Sequence, residues 1–407
     1  MNSTYHEDDK EGLRIFLRQL SAKGKTTNGK QLGLKISDIA DLENNEDWVE
    51  KIKGLVWNDE SPKRLIKIDW YFKNLAGSLD ASKWSKLTDL DCCFNRLTDL
   101  NLSKNTALTA LDCSLNPLVA LNLRANTALT ALVCNLNQLY TLDVSRNTAL
   151  TELYCDGNQL IELDLRTNTA LTELVCADNP LTTLNVSANT ALTELVCSFN
   201  QLTELDVRTN TALTELKCSY NQLITLDLHA NTKLKELDCC ENELTSLDIS
   251  KNTALISFNC FGNLLNTLDI AENRKLEYLD CSKNRLTALN VCENTALKTL
   301  WCYDNLLTDL DVSKNTALTH LWCARNQLTA LDVHANTKLT ILNCYSNQLT
   351  ELDVSKNTKL TELGCCYNQL TALNLQANKK LKCLNCANNQ LTDLDVSGNK
   401  ALSVIKK

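Results

Sequence analysis

From Leu87 onward the leucines fall on a fixed grid. The first stretch reads LTDLDCCFNRLTDLNLSKNTA, and near-copies follow it with a period of 21 residues. Fifteen copies fill residues 87 to 401 and a truncated one opens at Leu402, with no insertion or deletion breaking the register. Around each Cys the pattern alternates. In Leu90-Asp91-Cys92 the outer side chains point inward and the middle one to solvent, which is the period of a β-strand. The second half, Leu97-x-x-Leu100-Asn101-Leu102, alternates again and predicts an extended or short-strand wall. The repeat is too short to place a full helix on that side. One such coil cannot close a core, so each must stack on its neighbours.

The first eleven positions, L-x-x-L-x-C-x-x-N-x-L, resemble the leucine-rich-repeat signature, with Cys where the third Leu stands. The resemblance implies a leucine-rich repeat solenoid, a parallel β right-handed superhelix with an extended or short-strand convex side. The ladder of cysteines runs from Cys92 to Cys386, and an Asn follows three residues after each, from Asn95 to Asn389. That Asn marks the turn leaving the strand. Its amide can satisfy turn backbone groups and bond to the next Asn of the stack.

Residues 1 to 86 differ and hold four of the six Trp. Leu13, Phe16, Leu17 and Leu20 keep helical spacing with Asp8 and Asp9 near the start, and a second helix is expected over Trp48 to Ile52. The expected organisation is a small helical N-terminal cap at 1–64 and a degenerate first repeat of 22 residues at 65–86. Fifteen repeats follow at 87–401, then a truncated one at 402–407. A cap is needed because the open end of a solenoid exposes its core.

Composition changes the picture at three points. Twenty cysteines invite a disulfide reading, but fifteen share one inward position. Side chains pointing the same way suit the disulfide dihedral poorly, so these are expected to be buried thiols acting as small hydrophobes. Of the other five, Cys93, Cys240 and Cys366 are expected on the exposed face, while Cys292 and Cys383 complete the set. Cys383-Leu384-Asn385-Cys386 has C-x-x-C spacing without a second ligand pair, which argues against zinc or redox work. Net charge is -8 with no basic run, which excludes nucleic acid as the main partner. No stretch approaches 18 apolar residues, so no membrane span is expected.

Catalytic signals are weak. Gly24-Lys25-Thr26 has Gln19 where a phosphate-binding loop needs Gly, and His6, His229, His320 and His334 have no visible nucleophile partner. The chain is therefore read as no enzyme, with no cofactor. Calcium is the alternative, because Asp206, Asp227, Asp248 and Asp269 stack on consecutive rungs, as do Asp311, Asp332 and Asp353. Like charges at that spacing repel, and hydrogen bonds from Ser and Thr or nearby Lys are the favoured remedy.

Outward positions of the second half are monotonous: Asp or Asn, often Ser, then Asn-Thr-Ala. Those around Cys vary, which suits recognition. Thirteen aromatics lie in the repeats and eleven occupy these outward columns, Phe94, Tyr154 and Phe261 among them. The candidate ligand-binding set is Phe199, Tyr220, Tyr278, Trp301, Tyr303, Asp304, His320, Trp322, Arg325, Tyr345 and Tyr367. Exposed Trp, Tyr and Arg in a cluster make interface hot spots, and the plain alternative is cross-strand packing that only stabilises the sheet. The same rings could stack on sugars, which makes glycan binding a second reading.

The cysteine ladder with its strict period, over residues 87 to 402, resembles the internalin family of bacterial surface proteins. The resemblance implies a secreted or wall-attached, extracellular protein. It would bind a protein or glycan on a host or bacterial surface, in adhesion or biofilm formation. The start, Met1-Asn2-Ser3-Thr4-Tyr5, has no apolar core of an export signal, which leaves an intracellular (cytoplasmic) scaffold as the alternative.

Overall fold

The computed structural model describes residues 3–22 and 24–406. Met1, Asn2 and Lys23 of the expected cap and Lys407 of the truncated repeat lie outside the described residues. The chain forms two compact units, Met1–Leu202 and Thr203–Lys407.

The first unit opens with a helix, Glu7–Arg18, whose N-terminal backbone is capped by the His6 ring. Glu7, Asp8 and Asp9 occupy its first turn and Arg18 its last, the arrangement the helix dipole favours. Its inner face carries Leu13, Phe16 and Leu17, all buried. Phe16 stacks on Trp70 at 5.3 Å, and Trp70 meets Trp84 edge-on at 6.0 Å. Asp9, fully buried, binds Arg64 through both carboxylate oxygens at 2.9 and 3.2 Å and accepts the Leu65 N–H. The cap is therefore bolted to the first rung by aromatic burial and one enclosed ion pair. The helix expected over Trp48–Ile52 is a single 3-10 turn, Val49–Lys51, too short to bury an amphipathic face. Two short helices, Asn28–Gln31 and Ile36–Ala40, stand where none was expected.

Strand Leu55–Trp57 pairs antiparallel with Leu65–Asp69, and from there every pairing is parallel. In the first unit the rungs run through Asp89–Asp91, Ala110–Asp112, Ala131–Val133, Glu152–Tyr154 and Glu173–Val175 to Glu194–Val196. In the second unit they run from Glu215–Lys217 to Val404–Lys406, Leu facing Leu at almost every step. Phe258, the one replacement before Ile405 in the last rung, sits between Leu237 and Leu279 and is fully buried. The second wall is extended without a ladder, except where Ala76–Asp80 pairs with Arg96–Asn101. The ladder thiols are buried, and no disulfide forms among the described residues.

Three expectations about polar side chains are corrected. The Asn after each Cys does not bond to its neighbouring Asn. Asn326 donates to the carbonyls of Cys302, Cys323 and Ala324 at 3.0, 3.1 and 3.2 Å, and its oxygen accepts the Leu307 N–H at 3.0 Å. The amide thus replaces backbone partners that the turn removes, on its own rung and the one before. The Asn of Asn-Thr-Ala, expected outward, is buried. Asn336 donates to Val312 and Asn315 carbonyls, both at 2.9 Å, while its oxygen meets no donor in the protein. Finally, Cys93, Cys240 and Cys366 are buried rather than exposed, because a side chain this short does not reach past the surface at this position; Ser114, Ser219, Ser282 and Ala324 of the same column are buried too.

The Asp column is satisfied locally. Asp227, Asp248, Asp311, Asp332 and Asp353 each accept the N–H two residues on, at 2.8 to 3.1 Å. His229 lies between Asp227 and Asp248, and His334 between Asp332 and Asp353, with N–O separations of 3.0 and 3.1 Å in each. Arg166 and Arg208 hold the carboxyls of Asp164 and Asp206 down at about 2.

Two measurements check this account. Asn326→Ala strands several buried backbone groups and should lower stability by about 3 kcal/mol, while Asn336→Ala also removes an unpartnered oxygen and should cost less. Urea melts of both variants decide it, and equal losses would refute the distinction. Titration of the native protein with an aromatic disulfide reagent should modify the partly exposed Cys292 and Cys383 quickly. The remaining thiols should react only after denaturant is added; rapid reaction of ladder thiols would show that the core opens readily.

Candidate functional site

Rungs Tyr278–Asp280, Thr299–Trp301, His320–Trp322, Ile341–Asn343 and Glu362–Gly364 pair residue for residue. The buried Leu at each centre fixes which side chains project, so residues 21 apart become neighbours. Asp280, Trp301, Trp322, Asn343 and Gly364 make one column, and Tyr278, Thr299, His320, Ile341 and Glu362 the other. Trp301 and Trp322 stack at 5.3 Å with 25° between planes, and Tyr278 meets Trp301 edge-on at 5.6 Å. Tyr303 lies 6.0 Å from Trp322 and 6.1 Å from Phe261, whose ring is also covered by the Lys283 ammonium at 4.8 Å.

Beneath this aromatic cluster Asp280 is buried, and its carboxyl accepts the Ser282 N–H at 2.9 Å. Burial raises its pKa, and burial beside that carboxyl also raises those of the Tyr278 and Tyr303 hydroxyls. Both tyrosines are hydrogen-bond donors, protonated at neutral pH as any phenol is and held further from ionisation here. The Trp301 Nε1 is buried without an acceptor in the protein, which costs about 1–3 kcal/mol. Other rungs place Asp, Asn or Val there, so the fold does not require the indole.

At the turn rim, Asp304 and Arg325 take left-handed backbone (φ 57° and 51°) and approach to 3.9 Å. The His320 ring bonds the Thr319 hydroxyl at 2.9 Å. Tyr345 borders a hollow of about 280 Å³ beside Gly364. A Cβ on Gly364 would lie 2.1 Å from the Asn343 amide oxygen, so any larger residue at this step requires that side chain to turn away.

Tyr278, Trp301, Tyr303, Trp322, Asp304 and Arg325 thus share one region, with His320 and Tyr345 at its border. Tyr220 and Tyr367 stand on exposed turn positions of other rungs of the same unit. Phe199 belongs to the first unit. The first unit also holds an exposed group that the repeat grid missed: Phe72 packs on Phe94 at 4.7 Å, with Tyr71 6.3 Å from Phe94. Tyr71 and Phe72 precede the 21-residue register, but the 22-residue step from Phe72 to Phe94 would have revealed the pair.

Asp91, Cys93 and Asp112 bring their ligand atoms within 4.8 Å of one another. Burial and a hydrogen bond to Asp91 push the Cys93 thiol up, so without a metal it is a proton donor to that carboxylate. Among the described residues no helix is long and apolar enough to cross a membrane.

Residues 274–315 match the family described as leucine-rich repeats in two copies. No curated protein matches the chain. Among solved structures, it is similar to the functional domain of InlJ from Listeria monocytogenes, which includes a cysteine ladder. Identity is 41%, over 77% of this chain and 70% of that one, with a TM-score of 0.75. YopM from Yersinia enterocolitica shares 25% identity over 79% of this chain and 68% of its own (TM-score 0.66). The internalin InlF of Listeria monocytogenes shares the fold at 19% identity, over 85% and 91% (TM-score 0.58). With its unbroken cysteine ladder, the chain belongs to the internalin-type leucine-rich-repeat proteins.

Proposed function

We propose that this chain is a protein-binding module of a bacterial surface, used in adhesion to a host or to other bacteria. The partner docks on the aromatic cluster of the second unit. The stacking direction of Trp301 and Trp322 carries the reading. Rings on adjacent rungs that stack at 5.3 Å cover one another's faces and turn their edges outward. A sugar needs an open ring face, whereas a protein anchor needs buried apolar area with polar groups beside it. The Tyr278 and Tyr303 hydroxyls and the Asp304–Arg325 pair supply those polar groups. The internalin-type fold supports an extracellular location, and the mechanism needs no cofactor: affinity comes from desolvating the aromatic edges and orientation from the rim charges.

The test uses the whole chain as bait for a surface-protein extract, followed by titration with the purified partner. Trp301→Ala/Trp322→Ala should weaken that partner by about 100-fold, the size expected for paired hot spots, without changing the circular-dichroism melt. Undiminished protein binding would refute the choice of face. Glycan-array binding lost in the same variant would transfer the site to sugars.

A further inference from the structure

The first unit carries a second surface of different chemistry. Strand residues flanking its buried Leu column include Asp69, Asp89, Asp91, Asp112, Glu152 and Glu173, against a single base, Lys67. Of these acids only Asp89 is ion-paired among the described residues, with Lys67 at 3.2 Å. Along the rim of the same rungs stand Phe72, Phe94 and Leu115, all exposed, in left-handed backbone with φ of 52°, 55° and 53°. Their N–H groups bond the carbonyls of Cys93, Ser114 and Asn135 on the next rung, which holds that conformation in place.

An L side chain loses free energy in this backbone, and a bulky one has nothing to gain there from the core. Elsewhere the same position carries Gly157, Asp178, Gly262 and Asn388, which tolerate it, but also Leu136, Phe199, Tyr220 and Tyr367, so the fold accepts bulk there without selecting it. Conformation therefore does not select this run of Phe, Phe and Leu, which Leu136 continues; the two rings pack on each other at 4.7 Å, yet all four side chains stay exposed. An exposed apolar strip beside an acidic face is complementary to a cationic segment that also bears apolar side chains. We infer that this face of the first unit docks a basic, apolar-rich protein segment, independently of the aromatic cluster of the second unit. Its acids would repel nucleic acid and anionic membranes.

The test is fluorescence anisotropy on the full chain with a labelled ten-residue peptide of alternating Lys and Leu. Phe94→Asn/Leu115→Asn leaves every charge in place, and Asn388 shows that Asn suits this backbone at φ 54°. Affinity should fall about tenfold in that variant, and should fall also when salt rises from about 0.05 to 0.2 M, as screening requires. Trp301→Ala/Trp322→Ala should leave it unchanged. Equal binding of a Lys-Gly peptide, or equal weakening by both double variants, would overturn the proposal.

Discussion

The structure depends on one buried amide per rung. Where the chain turns out of its strand, the carbonyl of the Cys loses its ladder partner, and that of the next residue keeps only one N–H of the rung before, as Tyr303 keeps that of Lys283. The Asn three residues after the Cys answers both, and reaches the Cys carbonyl of the rung before, as Asn305 does for Cys302, Tyr303 and Cys281. An orphaned buried carbonyl costs about 1–3 kcal/mol, so the amide is strongly held. It bonds groups 24 and 19 residues back and so ties each rung to the one before. Across the longer first step Asn95 makes the same two bonds, to Trp70 and Leu75, 25 and 20 residues back, so the extra residue is absorbed in the loop. This bonding also makes stability a sum over adjacent rungs.

Once core and turns are committed to this bonding, the strand positions beside the buried Leu are free to vary. Small thiols complete the inner layer: Cys239 and Cys281 aim sulfur at the Asn259 and Trp301 carbonyls at 3.5 and 3.6 Å, weak contacts that suit a buried, protonated group. The outer layer then differs by unit. Acids dominate the strand face of the first, and aromatics cluster on the second, although both stand on the same repeat. Surface chemistry thus varies on a scaffold that does not change to accommodate it.

Much of this was legible in the chain. A period of whole rungs converts sequence spacing directly into neighbours, so Trp301 and Trp322 could be paired from their 21-residue separation alone. Errors arose where polarity was taken as exposure. Asn336 is polar yet fully buried, because its amide stands in for backbone bonds. Cys240 stands in the outward column but is covered there, as Ser219 and Ser282 are, since exposure depends on side-chain length as well as direction. Phe72 escaped notice because the first repeat is one residue longer. Ring orientation and the unpartnered Trp301 nitrogen needed coordinates.

Orientation decides what the aromatic cluster can recognise. In a parallel ladder, identical rings on consecutive rungs stack along the ladder axis, and each added ring covers a face of the last. A single ring offers a broad plate; the Trp301–Trp322 pair offers two edges backed by Tyr303 and Tyr278. Edges carry the positive side of the ring quadrupole, so they favour carbonyl and carboxylate oxygens or further aromatic faces. The two tyrosine hydroxyls, held further from ionisation by burial near Asp280, add donors of the same polarity. On the reading proposed above, the cluster is therefore matched to a partner surface rich in acceptors around an apolar anchor. A protein loop with exposed backbone carbonyls presents that surface.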